Sequence, residues 1–253
     1  MTNTIINKNM CEELDINYTV TTRNIKPYYS IKEYLDTFFY NINHSKIESL
    51  FGFSSTFSPL YGGRKFVINN TLTEKHFIEM KNLNIKTSLT LTNHYFTEEA
   101  YKTTIPLLER HHKNGNIITC FNDTLAKRLK KDFPLYILNA SVIKNLTTID
   151  KIINAFELYD NVVIPIHLNN DLLFMESIPQ KENIILFANA GCAYNCPLKI
   201  CYLSVSNFNQ NRKKTDGCSK KQIKRPKRGI TFFNIKKLYE MGFKNFKIVK
   251  CIN

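Results

Sequence analysis

The sequence predicts an α/β fold of the TIM-like (β/α) barrel type, and three observations support this prediction. Short apolar runs alternate with amphipathic helical segments along most of the chain, and such alternation indicates parallel strands joined by right-handed crossovers. No glycine-rich phosphate fingerprint follows any of these runs, which disfavours the alternative of a doubly wound dinucleotide-binding sheet. The length of 253 residues suits one barrel.

The predicted elements divide the chain into a lead-in with one helix, residues 1–45, and a single barrel domain, residues 46–253. Strands are predicted at 47–53, 87–92, 116–120, 135–138, 162–166, 183–188 and 246–249. Helices are predicted at 31–43, 70–83, 97–113, 123–131, 148–158, 171–177 and 233–241. An intact barrel has about eight strands, and the sequence predicts about seven. We therefore expect an incomplete barrel, or one that an N-terminal element closes.

Composition restricts the compartment and the class of partner. The chain has no apolar run of about 18 residues, so no membrane insertion is expected. Its first residues lack the build of a signal peptide, and its seven cysteines are an odd number, so we expect a cytoplasmic protein with reduced thiols.

Much of the net charge of +14 comes from one segment. Between Lys199 and Arg228 the sequence has ten lysines and arginines and only one acidic residue, an aspartate. A basic loop of this kind suggests RNA as a partner, although a solvated loop in a lysine-rich protein is the alternative. The candidate nucleic-acid-binding residues are Arg212, Lys213, Lys214, Lys224 and Arg225.

Four cysteines follow the strand predicted at 183–188, within a loop at 190–228 that we expect at the C-terminal mouth of the barrel. They are Cys192, Cys196, Cys201 and Cys218, with the spacing C-x3-C-x4-C-x16-C. This spacing differs from the paired knuckles of common zinc ribbons, and four thiolates suit a [4Fe–4S] cluster. Zinc and unligated buried thiols remain alternatives, and Cys120 could replace Cys201 or Cys218 as a ligand. The first three cysteines also resemble the loop of radical S-adenosylmethionine enzymes. In that family, however, the gap corresponding to Cys196–Cys201 is shorter and the loop follows the first barrel strand, so this alternative is disfavoured.

Polar residues end several predicted strands, and in a (β/α) barrel such positions face the active site. His94 and His167 are candidate acid–base groups because an imidazole titrates near neutral pH. Asn189 is a third candidate catalytic residue, since it stands three residues before Cys192. The alternative for each is an ordinary polar strand end.

Several motifs resemble the collagenase-like, U-type peptidase family. The turn from Asn189 to Pro197 resembles that family's N-E-G-C-x-x-x-C-P turn, with Ala190 in place of the acidic residue. The other similar motifs are Tyr61-Gly62-Gly63-Arg64, Thr90-Leu91-Thr92-Asn93, Arg225-Pro226, Leu238-Tyr239-Glu240-Met241-Gly242 and Phe246-Lys247-Ile248. The chain departs again at Lys250-Cys251, where the family commonly has a Gly-Arg pair.

The resemblance implies a barrel with a [4Fe–4S] cluster on four cysteines, of which Cys192, Cys196 and Cys218 match best and Cys201 or Cys120 would be the fourth. The family includes proteins that hydroxylate RNA bases or the ubiquinone ring. The leading hypothesis is therefore an iron–sulfur hydroxylase that acts on RNA or another ring substrate, either alone or together with a paralogous subunit. One alternative is a cysteine- or metal-dependent peptidase, although no G-x-S-x-G or H-E-x-x-H motif is present. A second alternative is a non-catalytic metal-binding interaction protein.

Overall fold

Eight parallel strands close into a barrel in the computed structural model of the protein, in the order β1-β10-β7-β6-β5-β4-β3-β2. The structure describes residues 14–191, 201–212 and 231–250. The barrel strands are β1 (Asn17–Thr21), β2 (Ile47–Gly52), β3 (Lys86–Leu91), β4 (Ile117–Cys120), β5 (Ile137–Ala140), β6 (Asn161–Val163), β7 (Ile184–Phe187) and β10 (Asn245–Ile248). Outside the barrel, β8 (Asn189–Ala190) and β9 (Thr231–Phe232) form a short antiparallel ribbon.

The barrel is complete, so the prediction of an incomplete barrel of about seven strands is wrong. The additional strand is β1, which lies in the predicted lead-in and pairs in parallel with β10 on one side and β2 on the other. Its sequence, Asn-Tyr-Thr-Val-Thr, contains only two apolar residues, Tyr18 and Val20. Both are buried, but a pattern this short is too weak to identify a strand from sequence. The alternative expectation, closure by an N-terminal element, describes the observed barrel.

Helices connect the strands on the outside of the barrel. They are α1 (Ile31–Phe38), α2 (Glu74–Asn82), α3 (Glu98–His111), α4 (Asp123–Asp132), α5 (Ile149–Ala155), α6 (Leu172–Ser177), α7 (Cys201–Asn209) and α8 (Ile235–Glu240). Each predicted helix has a counterpart, and α7 is an additional one. Side-chain caps explain several starts, because Ser30 forms a capping box with Glu33 and Asn122 accepts hydrogen bonds from two backbone N–H groups of α4.

The main hydrophobic core lies between the strands and this helical layer. Strand residues such as Val20, Leu50 and Leu89 belong to the same buried cluster as Leu107 and Leu129 of the helices. Burial of this apolar surface is the main source of stability. Among the described residues, no helix is long and apolar enough to cross a membrane.

Candidate functional site

The interior of the barrel, which we call the lumen, is lined largely by polar side chains. Successive side chains of a strand point to opposite faces, and the apolar set of each strand packs against the helices. The intervening residues therefore face the lumen, where TIM barrels usually place branched apolar side chains. In this protein they include Thr19, Ser49, Ser88, Thr90, Thr119, Asn139 and Lys247.

Some of the lumen groups satisfy one another, and others do not. Thr19 Oγ1 and Ser49 Oγ are 2.9 Å apart, and Asn161 donates to Asn139 Oδ1 over 2.9 Å. By contrast, three buried hydroxyls have no hydrogen-bond partner within the described part of the chain, namely those of Ser88, Thr90 and Thr119. Buried polar groups without a protein partner are normally satisfied by water or a ligand. The lumen therefore has the chemistry of a binding chamber.

Lys247 is the one cation whose side chain we place in the lumen among the described residues. Its Nζ lies 3.9 Å from the ring centroid of Phe51, and because β1 separates β10 from β2, this contact spans the inside of the barrel. Lys247 is only 7 % exposed. Burial lowers the pKa of Lys247 from its ordinary 10.5 to about 8, since desolvation disfavours the charged form.

The mouth loop, residues 54–66, is packed tightly against the end of β3. A Cβ on Gly62 would stand 2.3 Å from the backbone carbon of Thr92, so only glycine allows this approach. Asn93, which follows β3, donates to the backbone carbonyls of Pro59 and Tyr61 over 3.0 and 3.1 Å. The two motifs that the sequence analysis selected separately, Tyr61-to-Arg64 and Thr90-to-Asn93, are thus a single structural unit.

Helix α7 is fastened to this unit over the barrel mouth. Asn209 donates to the carbonyls of Tyr61 and Arg64, both over 3.0 Å, and accepts from the backbone N–H of Phe66 over 3.0 Å. Asn93 donates in addition to the carbonyl of Ser206 over 3.1 Å. Because Asn209 and Ser206 are buried, these hydrogen bonds are shielded from water. They fix the position of the helix that begins at Cys201.

His94 is held by the same helix in a defined protonation state. The Ser206 hydroxyl accepts the backbone N–H of His94 over 3.2 Å and lies 2.8 Å from His94 Nδ1. The Ser206 hydroxyl can donate its proton to Nδ1, and in that arrangement the ring proton is on Nε2. Burial lowers the pKa of His94, so the imidazole is neutral at pH 7. In this state His94 Nε2–H is a hydrogen-bond donor, while Nδ1 is already occupied by Ser206.

Stacked aromatic rings and a half-buried arginine stabilise the mouth loop. The rings of Phe53 and Tyr61 stack with centroids 4.3 Å apart, and Phe66 continues the stack at 5.6 Å from Tyr61. The Arg64 guanidinium lies 4.6 Å from the Phe53 ring centroid, and burial lowers the pKa of Arg64 to about 10. Its Nη2 is buried without a hydrogen-bond partner in the described ranges. The sequence analysis identified this loop from resemblance but assigned no role to Arg64.

The other two candidate catalytic residues have different surroundings. Asn189 is buried and exchanges two hydrogen bonds of 2.9 Å with the backbone of Val249, which joins the ends of β7 and β10. This geometry gives Asn189 a structural task. His167 lies in a 3₁₀ turn, Ile166–Asn170, and is exposed. No described contact joins His167 to His94, so the structure does not bring the two histidines together.

The predicted metal ligands are only partly covered by the described residues. Cys192, Cys196 and Cys218 lie outside them, whereas Cys201 is the first residue of α7 and is half-buried. Across residues 14–191, 201–212 and 231–250, no three His, Cys, Asp or Glu side chains converge as metal ligands.

Cys120, the predicted substitute ligand, belongs to the hydrophobic core between the strands and the helices, because it is fully buried in register with Leu91 and Ala140. Burial raises the pKa of the Cys120 thiol, which disfavours the thiolate that a metal requires. This placement argues against Cys120 as a cluster ligand.

Of the predicted nucleic-acid-binding residues, Arg212 is described and Lys213, Lys214, Lys224 and Arg225 are not. Arg212 is exposed, and its guanidinium carbon lies 4.2 Å from the ring centroid of Tyr95. Gln210 donates to the carbonyl of Tyr95 over 3.0 Å, so this cation–aromatic pair belongs to the same attachment of α7 to the mouth.

The fold and the site define a (β/α) barrel protein with a polar lumen and a helix fastened over its mouth. No protein-family model matches the chain, and no curated protein matches it. The fold is similar to that of the solved structure of the U32 peptidase Mk0906, with a TM-score of 0.65 and 11% identity over 96% of this chain and 95% of that one. The match shows a shared barrel fold.

Proposed function

We propose that the protein is an iron–sulfur barrel that hydroxylates a ring-containing substrate, with RNA bases as the first class to test. The attachment of α7 carries this proposal. The helix begins at Cys201, and the hydrogen bonds of Ser206 and Asn209 hold it over the open end of a polar lumen. A group ligated by Cys201 and its neighbours in sequence would therefore lie close to that lumen.

The donor set fits a [4Fe–4S] cluster chemically. Cys192, Cys196, Cys201 and Cys218 supply four soft thiolates, which such clusters require. Cys201 is the first residue of α7 and is half-buried. When bound, the cluster would supply electron transfer.

The protein's own contribution to the reaction comes from the mouth and the lumen. His94 Nε2–H can donate a hydrogen bond to a carbonyl oxygen or ring nitrogen of the substrate, and it is held in that tautomer by Ser206. Because burial lowers the pKa of His94, it remains a neutral donor at pH 7 rather than a cation. We propose the role of donor for His94 and no catalytic role for Asn189.

RNA binding would use the basic segment from Arg212 to Arg225. The Arg212 guanidinium packs against the Tyr95 ring just after α7. It is a cation that a phosphate group could approach. Charge reversal of Lys213, Lys214, Lys224 and Arg225 should weaken RNA affinity and reduce its dependence on salt concentration. Unchanged affinity would refute the RNA part and leave a non-polymeric ring compound as the substrate.

The test of the cluster is anaerobic purification followed by analysis of iron, sulfide and zinc. About four irons and four sulfides per chain are expected, with loss in the alanine variants of Cys192, Cys196, Cys201 and Cys218. Cys120→Ala is the matched control and should retain the full content. One zinc without sulfide would favour a non-catalytic metal-binding interaction protein, and the absence of any metal would refute the proposal.

Peptidase activity is the second candidate, because the similar structure is that of a U32 peptidase and because Ser206 and His94 are in hydrogen-bond contact. A serine nucleophile needs a neighbouring base and access to the substrate. Ser206 has the first but is fully buried, which argues against this role. Proteolysis that is abolished in Ser206→Ala, with the fold intact, would establish the peptidase instead.

A further inference from the structure

Lys247 has no counter-ion that explains a buried charge. Its neighbours in register are Thr19 on β1 and Phe187 on β7, and its Nζ lies against Phe51 of β2. None of these side chains is acidic, and no described carboxylate lies within ion-pair distance of Lys247. A buried ammonium without a partner is expensive. A ligand that supplied negative charge would remove this cost.

The opposite wall of the lumen offers hydrogen-bonding groups that are also unused. Ser88 and Thr90 on β3 and Thr119 on β4 are lumen-facing hydroxyls with no partner in the described part of the chain. A hydroxyl can both donate and accept. Together with Lys247, this wall would match a small molecule that carries an anionic group and further polar atoms.

Lys247 and Phe51 lie in the C-terminal halves of β10 and β2, toward the mouth. Phe51 is only partly buried, so the residue against which Lys247 packs is in part accessible to solvent. A ligand could therefore enter from the C-terminal end of the strands, which is where barrel enzymes bind their substrates.

We propose that the lumen binds a small molecule with an oxyanion group, a carboxylate or a phosphoryl group, at Lys247, with Ser88, Thr90 and Thr119 bonding its other polar atoms. This proposal uses none of the cysteines and does not depend on a cluster. The Phe51 ring favours the ammonium form through a cation–π contact, so the site holds the amine in the state that an anion requires.

The experiment measures, by peptide mass spectrometry at pH 7, how fast Lys247 reacts with acetic anhydride in the purified protein. Inorganic phosphate and acetate are the probes, with chloride at matched ionic strength as the reference. A bound anion stabilises the ammonium and raises the pKa, and each unit of increase slows the labelling about tenfold. We expect about tenfold protection of Lys247 by at least one probe. Lys236, whose side chain is 58% exposed, should change less than twofold.

The two probes distinguish the two chemical sources. Protection by phosphate alone assigns a phosphoryl ligand, and protection by acetate alone assigns a carboxylate. Lys247→Met should lose the increase in melting temperature that the effective probe causes, while Lys236→Met keeps it. Equal labelling in phosphate, acetate and chloride would overturn the proposal, as would a Lys247 that acetic anhydride never reaches. Because no metal is needed, failure here is distinct from failure of the iron and sulfide analysis.

Discussion

Replacing Lys247 by methionine should stabilise the protein near neutral pH. Methionine keeps the unbranched stem and removes a charge that burial opposes. Burial lowers the pKa of Lys247 from 10.5 to about 8. A difference of about 2.5 units corresponds to about 3 kcal/mol of unfavourable free energy in the folded, charged state. We therefore expect the free energy of unfolding of Lys247→Met to exceed that of wild type by up to about 3 kcal/mol at pH 7.

The gain should depend on pH in one direction. Below pH 8 the amine is protonated in both the folded and the unfolded states, so the full penalty applies. Between pH 8 and 10.5 the unfolded state binds more protons than the folded state, and the stability of wild type rises with pH. The advantage of Lys247→Met should therefore shrink by about 2 kcal/mol between pH 8 and 9.5.

Urea unfolding followed by circular dichroism at pH 7, 8, 9 and 9.5 measures both quantities. Lys236→Met is the matched control, because Lys236 is exposed on α8 with only a 4.0 Å contact to Glu240, and it should change stability by less than about 0.5 kcal/mol. A Lys247→Met variant that is less stable than wild type at pH 7, or whose advantage is constant with pH, would refute the reasoning. It would mean that the amine is well solvated or paired in the folded state.

Three further predictions concern the mouth and the core. Asn209→Ala should cost about 2–4 kcal/mol, because three buried hydrogen bonds to the mouth loop are lost at once. Limited proteolysis should then cleave near α7, and an unchanged digestion pattern would contradict this role. Gly62→Ala should lower the melting temperature, since its Cβ would clash with backbone at 2.3 Å, whereas a Cβ on Gly191 would meet no atom of the described residues within 4 Å, so Gly191→Ala should be neutral. Burial lowers the pKa of His111 to about 4, so between pH 6.5 and 4 the unfolded state binds a proton that the folded state does not. The free energy of unfolding of wild type should therefore fall by about 2 kcal/mol over this range. His111→Phe should remove that loss in acid denaturation, and equal acid sensitivity would disprove it.

Sequence periodicity predicted the elements with strong apolar patterns. The strand at 117–120 and the helix at 123–132 were placed within one residue, because a short β-branched run, Ile-Ile-Thr, is soon followed by an asparagine cap. Boundaries were less accurate where loops are also apolar. The strand expected at 162–166 ends at Val163, since Pro165 lacks the N–H needed to continue the ladder.

Predictions for the site were less complete, because function depends on contacts that are distant in sequence. His94 was selected as a polar strand end, but its hydrogen-bond partner is Ser206, 112 positions away, and burial lowers its pKa. Arg64 and Lys247 were present in the motifs, yet a charged side chain in a sequence is normally exposed. Only the closed barrel shows that Lys247 is buried and that Nη2 of Arg64 is enclosed. Cys120 was expected at the mouth but lies in the core. Adjacent residues of a strand point to opposite faces, so a shift of one residue moves a side chain from the lumen to the core.

The sequence by itself determined the fold class, the order of most elements, the concentration of basic residues and the cysteine spacing, because each of these is a local pattern. The tertiary structure decided that β1 closes the barrel, that α7 is fastened over the mouth, and that the lumen is polar around Lys247. The physical reason is that closure brings β1 beside β10, 228 residues apart at Asn17 and Asn245. Whether a side chain is then hydrated, paired or buried alone depends on neighbours that no local pattern specifies.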